Sequence, residues 1–215
     1  MNRLQTARTT VRRLADRGNY ERGTIHSILD EALICHVAFV VDGAPVVIPT
    51  IHTRIDETLY FHGSTASRML RSLRTGVEAC VCATLLDGLV LARSTFHHSM
   101  NYRSAVIFGT AKEVVDRDEK LRVLFALAEH VVRGRAAEAR GPNEEELKKT
   151  LVLSLPITEA SAKIRTGGPI DDEPDYALPV WAGVLPLTLT PGEPVPDARL
   201  REGIVVPEYV RHYSR

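Results

Sequence analysis

Residues 59–68, which read LYFHGSTASR, hold the side chains best suited to binding an anion. An apolar run leads into a glycine and three hydroxyl residues, and a helical pattern then begins near an arginine. Free backbone N–H groups and the helix dipole attract anions at a helix start, and Ser64, Ser67 and Arg68 could donate hydrogen bonds to a phosphate. The competing interpretation is an ordinary N-cap followed by an arginine that faces solvent. The segment is not a Walker motif, because the glycines and lysine of that motif are missing.

Histidines are the next residues that could take part in chemistry. His97 and His98 are adjacent, and adjacent residues of a strand point to opposite faces, which argues against a shared metal ion. One of them could instead line a substrate pocket. His52 ends an apolar run and could donate a proton near neutral pH, or it could be a rim histidine on a turn. His36 is expected in the core or at a barrel rim.

The chain of 215 residues is 44% hydrophobic and 25% charged, which is the composition of a folded globular protein. Its 27 basic and 27 acidic residues give a formal net charge of zero, so no global field favours nucleic acid or an anionic membrane. Cys35, Cys80 and Cys82 each lie in an apolar run, as buried reduced thiols do, and a zinc site at Cys80 and Cys82 would lack further ligands. The first residues lack the apolar core of a secretory signal, and no run approaches about 20 apolar residues. We therefore expect a cytoplasmic protein.

These residues must be positioned by the helices and strands around them. Four segments have the apolar spacing of amphipathic helices, and their predicted ranges are 24–33, 64–73, 117–133 and 144–149. Asp116 and Glu119 form the outline of a capping box before the third helix, and Asn143 could cap the fourth. The third helix is predicted to bury a face made of Leu121, Leu124, Phe125, Ala128 and Val131.

About seven strands are predicted from runs rich in Val, Ile and Phe. Asp42-Gly43 and Asp87-Gly88 each separate two such runs, and Asp-Gly supplies the positive φ angles of a type I′ hairpin turn. Another hairpin is predicted across residues 54–58, and further strands are predicted at 105–111 and 152–164. The expected fold is mainly β with peripheral helices (α+β), an antiparallel meander long enough to close as a barrel.

One domain accounts for most of the chain. Residues 1–23 are predicted to be a basic N-terminal arm, either solvated or forming a lip over an anionic ligand or a partner subunit. Residues 24–189 form the domain, and residues 190–215 form a C-terminal extension. Lys163 and Arg165 alternate along a predicted strand, so both lie on one face, where they could meet a ligand or solvent.

Four short segments of the sequence occur in the same order in one known family. They are PTIH at 49–52, YFHGS at 60–64 with Ser67-Arg68, YRSAVIFGTA at 102–111, and a last stretch with KIRTGGP at 163–169, DD at 171–172 and PVWAGVLP at 179–186. Together they resemble the flavin-binding split β-barrel proteins related to pyridoxamine 5′-phosphate oxidase, in the branch that includes nitroimidazole-resistance proteins. The resemblance covers about residues 24–187.

The resemblance implies an antiparallel split β-barrel that forms a homodimer and holds FMN in a groove between the subunits. It implies three kinds of site residue: those that bind the phosphate, those that contact the isoalloxazine ring and one that closes the site. The implied phosphate ligands are His62, Gly63, Ser64, Ser67 and Arg68; the residues along the ring are Pro49, Thr50, Ile51 and His52; Arg103 and Ser104 contact the cofactor from another strand; and Trp181, the single tryptophan, closes the site. Met69 stands where the oxidases have a second basic residue, and their Arg and His pair for pyridoxal phosphate is not found near Arg211-His212.

The resulting hypothesis is an FMN-dependent oxidoreductase, nitroreductase-like or pyridoxamine-phosphate-oxidase-like, that acts on a small electron-poor organic substrate. Its electrons would come from NAD(P)H or a reductase. FMN performs the redox chemistry itself, so no catalytic triad or carboxylate pair is needed, and no catalytic residue or metal site is assigned. The alternative is a flavin or haem carrier without turnover. Nucleic-acid binding has the least support, because the excess of basic residues and interleaved aromatics is missing.

Overall fold

The computed structural model describes residues 4–214. Within them lie ten strands: β1 Gly18–Asn19, β2 Ile34–Val41, β3 Ala44–Ile55, β4 Thr58–Ser64, β5 Glu78–Leu91, β6 Ser99–Thr110, β7 Lys112–Glu113, β8 Thr150–Pro156, β9 Glu159–Arg165 and β10 Gly183–Pro186. The same residues contain six α-helices: α1 Arg22–Glu31, α2 Arg68–Leu73, α3 Arg117–Val131, α4 Arg135–Glu138, α5 Glu144–Lys149 and α6 Glu208–Arg211. The mainly β, α+β prediction is confirmed.

All strand pairs are antiparallel, and the sheet follows the order β1-β9-β6-β5-β2-β3-β4-β8-β7, with β10 paired to β5. The hydrogen-bonded path is open. The ladder between β3 and β4 extends only from Ile55–Thr58 to His52–Phe61, whereas β4 stays paired with β8 as far as Ser64. Residues 44–51 of β3 therefore pair with β2 alone among the described strands. The sheet splits between β3 and β4 at this point.

Local turn signals explain two of the three predicted hairpins. Asp42 and Gly43 have φ angles of 52° and 75°, as a type I′ turn requires, and Asp56 with φ 51° turns β3 into β4. The hairpin predicted at Asp87-Gly88 is wrong, because β5 runs straight through it with a register shift between Leu86 and Gly88. Here β10 packs so closely that a Cβ on Gly88 would lie 3.0 Å from the Leu185 carbonyl oxygen. The glycine therefore serves close strand packing in a bulge.

Helix α3 begins at the predicted cap, where an Asp116 carboxylate oxygen accepts a hydrogen bond of 2.8 Å from the Glu119 backbone N–H. Its buried residues are Val123 and Leu127, which the prediction left out, while the predicted Phe125 is 39% exposed. The helix packs on a small cluster with Tyr60, Val114 and Val152, and the predicted Leu124 is partly buried against the same cluster.

The N-terminal arm is packed on the sheet, which contradicts the predicted solvated state. Leu4 is buried in the main core, and its carbonyl oxygen accepts a hydrogen bond from the Ala160 N–H. Arg8 bridges Glu78 and Glu159, and its guanidinium lies 4.5 Å from the centroid of the Phe108 ring. The arginines of this arm therefore include residues that tie separate strands together.

The three cysteines are free thiols, and burial raises the pKa of Cys35 to about 12. A thiol with such a pKa stays protonated and unreactive at neutral pH. Cys80 and Cys82 are only half-buried, because they point to the opposite face of β5 from the core residues Ala79, Val81 and Ala83. None of the helices in residues 4–214 is long and apolar enough to cross a membrane.

Candidate functional site

A cleft of about 560 Å³ lies beside the split in the sheet, between the β2–β3 turn and α2. Three arginines line it, Arg68, Arg71 and Arg74, opposite Val40–Asp42 of the turn. Arg74 lies 3.6 Å from a Glu113 carboxylate, whereas Arg68 and Arg71 form no ion pair within the described part of the chain. Two guanidinium groups without a counter-ion at one cleft suit an anionic ligand, because each can donate paired hydrogen bonds to a phosphate.

The predicted hydroxyl ligands beside this cleft also have local partners. Ser67 is the N-cap of α2, and its hydroxyl oxygen accepts a hydrogen bond of 3.4 Å from the Leu70 N–H. The Ser64 hydroxyl oxygen accepts one of 3.1 Å from the Ala66 N–H. Each hydroxyl keeps its proton available for a ligand. Helix α2 has six residues, so its dipole is small and the arginines supply the attraction for an anion.

Gly63 and His62 end β4 next to this segment. A Cβ on Gly63 would lie 3.1 Å from a Leu70 methyl group, so the glycine lets α2 pack closely on the strand. Burial lowers the pKa of His62, and its Nδ1 is buried without a hydrogen-bond partner among residues 4–214. A neutral imidazole with an unused ring nitrogen therefore lies on the strand that leads into the cleft.

Strand β3 divides the predicted ring-side residues between two faces. Pro49 and Ile51 are exposed on the outer face of the sheet, with Thr50 half-buried between them. His52 is fully buried, and its Nε2 donates a hydrogen bond of 2.9 Å to the Leu29 carbonyl oxygen at the end of α1. His52 therefore helps to satisfy the last carbonyls of a helix. The ring-side prediction for its side chain is corrected, because that side chain faces the core.

Arg103 and Ser104 lie on β6, which is separated from β3 by β5 and β2. Arg103 is clamped by two carboxylates, with its Nη2 2.8 Å from Glu31 and 2.7 Å from Asp87. These hydrogen bonds raise its pKa, so the guanidinium is a permanent cation that is already neutralised. The Ser104 hydroxyl donates to the Lys163 carbonyl oxygen at 3.2 Å. Within one chain, these two residues are not brought to the cleft.

Trp181 also lies apart from the cleft. It precedes β10, which pairs with the far end of β5, and its side chain is 67% exposed. The indole covers Gly183 so closely that a Cβ there would lie 2.9 Å from a ring carbon of Trp181. The predicted site residues thus form separate groups. Arg68 lines the cleft and residues 62–67 precede it in the chain, Pro49–His52 lie on β3, and Arg103, Ser104 and Trp181 lie on or beside β6 and β10.

The sequence reasoning missed Arg71 and Arg74, although their signal was present. Residues 68–74 read RMLRSLR, which places an arginine at every third position of a short helix while Met69, Leu70 and Leu73 are buried. Lys163 and Arg165, which were predicted to share one strand face, differ in their surroundings. Arg165 is 6% exposed and donates to the carbonyl oxygens of Gly167 and Gly168 at 3.2 and 3.0 Å, so it holds a turn.

A larger groove, of about 800 Å³, lies between α1 and α3. Several of its charges are paired: Arg54 forms a paired contact with Asp30, and Glu31 binds Arg103. His130 in its wall has its Nε2 2.9 Å from the Ala32 carbonyl oxygen. His26 also lines this groove, and its Nε2 is buried without a hydrogen-bond partner among residues 4–214. With acidic residues along its wall, the groove suits an anion less well than the arginine cleft does.

The open antiparallel sheet is consistent with the split-barrel class of proteins. The chain belongs to the pyridoxamine 5′-phosphate oxidase family, whose sequence model matches residues 21–164. None of the curated proteins matches it in sequence.

Several solved structures are similar to this chain. The flavocytochrome Anf3 from Azotobacter vinelandii is 37% identical, with 96% of each chain covered and a TM-score of 0.89. The FAD and haem binding protein from Mycobacterium smegmatis is 40% identical over 91% of this chain and 96% of that chain, with a TM-score of 0.87. A protein assigned to 5-nitroimidazole antibiotic resistance, from Bacteroides thetaiotaomicron, is 22% identical over 68% of this chain and 86% of that chain, with a TM-score of 0.57. This last likeness concerns the fold alone.

Proposed function

We propose that the protein is a redox protein that binds a flavin nucleotide and a haem. The observation that carries the flavin half is the arginine cleft at the split, where Arg68 and Arg71 have no counter-ion among the described residues. The haem half is supported by the two relatives at 37% and 40% identity, of which one is a flavocytochrome and the other an FAD and haem binding protein.

The flavin is FAD in this proposal, in place of the FMN that the sequence resemblance implied. FMN presents one phosphate, whereas FAD presents two, and the cleft has two arginines without an ion pair among the described residues, Arg68 and Arg71, that can serve both. The unpaired edge of β3, residues 44–51, offers backbone N–H and C=O groups to the polar edge of the ring. A bound flavin supplies the electron-transfer chemistry, and the chain supplies phosphate binding, orientation and exclusion of water.

A homodimer is part of the proposal. Ile34, Val40, Val47 and Ile51 are 39–60% exposed and lie on one face of the β2–β3 hairpin, with Pro49 opposite His36 on the same face. A continuous apolar sheet face suits burial against a second copy. The second copy would also supply what one chain keeps apart, since Arg103, Ser104 and Trp181 lie on strands remote from the cleft.

The proposed activity is that of an oxidoreductase for a small electron-poor molecule, supplied with electrons by NAD(P)H or a reductase. A carrier of flavin and haem without turnover is the competing function. Anaerobic mixing with NADH or NADPH separates the two, because an oxidoreductase that uses these donors bleaches its flavin band and reoxidises when a nitroaromatic substrate is added. A flavin that neither donor nor a reductase reduces would favour the carrier.

The cofactors themselves are tested by titrating the purified full-length protein with FAD, FMN and haem in turn. We expect one FAD and one haem for each chain, with FAD bound at least tenfold more tightly than FMN. The double variant R68A/R71A should lose flavin and keep haem. A protein that takes up no flavin in any titration would overturn the flavin half, and one that takes up no haem would overturn the haem half.

A further inference from the structure

The arginine cleft has three kinds of lining that differ in their chemistry. One is cationic, since Arg68 and Arg71 form no ion pair within residues 4–214. The second is apolar, and the third is a single carboxylate. The volume of about 560 Å³ lies within the range of about 300–1,000 Å³ that is typical of small-molecule sites. The combination of linings therefore limits which small molecule fits.

The apolar lining is on the inner side of the cleft. Val41 and Val77 are partly buried there and pack against the main core. The exposed part of each side chain faces the cleft. An aliphatic surface of this kind can cover a planar ring such as a nucleotide base, because the hydrophobic effect needs no directional partner. An inorganic anion would make no use of it.

Asp42 provides the carboxylate, the only one among the described residues that line the cleft. It is exposed, and it is not paired with the arginines opposite. Within residues 4–214, the carboxylate that pairs with a cleft arginine is that of Glu113, beside Arg74. A gap therefore separates the Asp42 carboxylate from the guanidinium groups of Arg68 and Arg71. A ligand in this gap can meet both kinds of group.

The hairpin turn holds Asp42 at this position. Asp42 and Gly43 are its two central residues, between the paired residues Val41 and Ala44, and Asp42 has a φ angle of 52°. Asp and Asn adopt this left-handed conformation at little cost, and glycine adopts it freely. Asn or Gly can therefore replace Asp42 without a change in the turn.

The three linings match the three parts of an adenosine 5′-phosphate. Guanidinium groups bind a phosphate, and aliphatic side chains pack on a base. A carboxylate accepts hydrogen bonds from ribose hydroxyl groups, as acidic residues do in nucleotide sites of other folds. A phosphate without a sugar would be repelled by the carboxylate and would gain nothing from it.

We propose that the cleft holds the AMP half of FAD and that Asp42 accepts a hydrogen bond from a ribose hydroxyl group of that half. The inference rests on the flavin half of the proposed function, and it names the residue that selects FAD over FMN, because FMN lacks this ribose. The unpaired edge of β3 begins at Ala44, directly after the turn. A ring along residues 44–51 and an AMP half beside Asp42 can therefore belong to one dinucleotide.

The experiment measures the dissociation constants of FAD and FMN for the full-length protein and for D42N, D42G, D56N and D56G. The Asp56 variants are matched controls, because Asp56 has a φ angle of 51° in the β3–β4 turn and does not line the cleft. We expect both Asp42 variants to bind FAD about tenfold more weakly, since a hydrogen bond to a charged group is lost. Their affinity for FMN should stay the same or increase, because a negative charge near the arginines has been removed. The Asp56 variants should match the unmodified protein with both flavins.

The direction of the change separates a hydrogen bond from a general effect of charge. If Asp42 acts only through its charge, its removal strengthens the binding of FAD as well as FMN. Stronger or unchanged FAD binding in both Asp42 variants would overturn the inference. Circular dichroism of each variant checks that the fold is retained.

Ligand analogues identify the hydroxyl group. Of two FAD analogues that lack the 2′- or the 3′-hydroxyl of the ribose, one should bind the unmodified protein about tenfold more weakly than FAD does. D42N should bind that analogue and FAD equally, because the two changes remove the same hydrogen bond. If D42N still distinguishes them, the hydroxyl has another partner. Saturable binding of ADP to the FAD-loaded protein, lost in D42N, would also contradict the inference, since the cleft would then hold a free nucleotide.

Failure of the inference can be told apart from failure of the proposed function. The double variant R68A/R71A should weaken both FAD and FMN, whereas the Asp42 variants should weaken FAD alone. If R68A/R71A loses flavin and the Asp42 variants keep the preference for FAD, the inference is wrong and the flavin half stands. If the unmodified protein binds no flavin, or binds FAD no better than FMN, that part of the proposed function fails and the inference fails with it.

Discussion

At the residue scale, two arginines of the same predicted site have opposite surroundings. Arg68 is exposed at a cleft with no ion pair within residues 4–214, whereas Arg103 is held by Glu31 and Asp87. The first can add a ligand without breaking any existing ion pair. The second would have to lose a carboxylate partner before it could bind a phosphate. The same residue type therefore has a binding function in one place and a structural one in the other.

The role of Arg68 is tested by Arg68→Ala. A charge-assisted hydrogen bond contributes about 1.5–3 kcal/mol, so flavin affinity should fall roughly ten- to a hundredfold. The measurement is a fluorescence titration of FAD, with Arg201→Ala as the control because that arginine is exposed and far along the C-terminal extension. An unchanged dissociation constant in Arg68→Ala would refute the phosphate role.

The role of Arg103 is tested by Arg103→Gln. Removal of the guanidinium leaves Glu31 and Asp87 without their shared cation, but all three side chains are 29–39% exposed, so solvent screens much of the effect. We expect the free energy of unfolding to fall by about 1–2 kcal/mol, measured by urea denaturation without cofactor. A loss of flavin affinity with no loss of stability would instead favour the cofactor contact that the resemblance implied.

At the element scale, the loop of residues 92–98 depends on one carboxylate. Burial alone would raise the pKa of Asp171, but the hydrogen bonds from the Arg93 side chain and from the Arg93 and Ser94 N–H groups lower it overall. A carboxyl group with a lowered pKa stabilises the fold above its unfolded value of about 3.9, and this contribution is lost as the pH falls through the lower, folded value. The loop should therefore hold its shape at neutral pH and open in acid.

Hydrogen exchange of individual backbone amides tests whether the loop of residues 92–98 opens in acid. The Arg93 and Ser94 amides should be protected at pH 5–7 and should lose protection below about pH 4, after correction for intrinsic exchange rates. In Asp171→Asn the two amides should exchange faster at every pH. The Ala160 amide, which donates to Leu4 in the core, is the internal control and should stay protected. Equal protection in both proteins at pH 7 would show that the carboxylate does not hold the loop.

At the scale of the whole molecule, the surface of one chain is incomplete in two respects. The β2–β3 hairpin exposes an apolar face, and the predicted site residues lie apart on different strands. A homodimer through this face would bury the apolar side chains, and the family resemblance implies a cofactor groove between the two subunits.

Val47→Glu places a charge at the centre of this face, at a side chain that is 60% exposed in the single chain. We expect a dimer for the unmodified protein and a folded monomer for the variant, measured by sedimentation and circular dichroism. Val195→Glu, at a side chain that is 90% exposed in the C-terminal extension, should remain a dimer. A dimer that survives Val47→Glu would place the interface elsewhere.

The single tryptophan reports whether the site residues remote from the cleft, Arg103, Ser104 and Trp181, reach the flavin. Trp181 fluorescence should be quenched when FAD binds to the dimer, because the indole would then lie close to the ring system. In the Val47→Glu monomer, flavin bound at the arginine cleft should leave the emission nearly unchanged. Emission that is insensitive to FAD in the dimer would mean that Trp181 contributes only to packing on Gly183.

The amino-acid sequence alone determined the features that depend on neighbouring residues. The Asp42-Gly43 turn, the Asp116 and Asn143 caps, the approximate helix ranges and the β-rich class all arise from interactions within a few positions of the chain. The phosphate segment was predicted for the same reason, since Gly63, Ser64, Ser67 and Arg68 lie within residues 63–68. The family resemblance added the expected cofactor and its site residues.

The tertiary structure decided which distant residues meet. It turned Asp87-Gly88 into a bulge because β10 lies alongside, buried His52 beneath α1, gave Arg103 two carboxylates and packed the N-terminal arm on β9. It also placed the His98 Nδ1 2.9 Å from the Ser94 carbonyl oxygen. A local pattern can specify a turn or a cap, because both partners lie within one turn of chain. The partner of a buried charge or ring nitrogen is set by strand order and packing, which no single segment encodes.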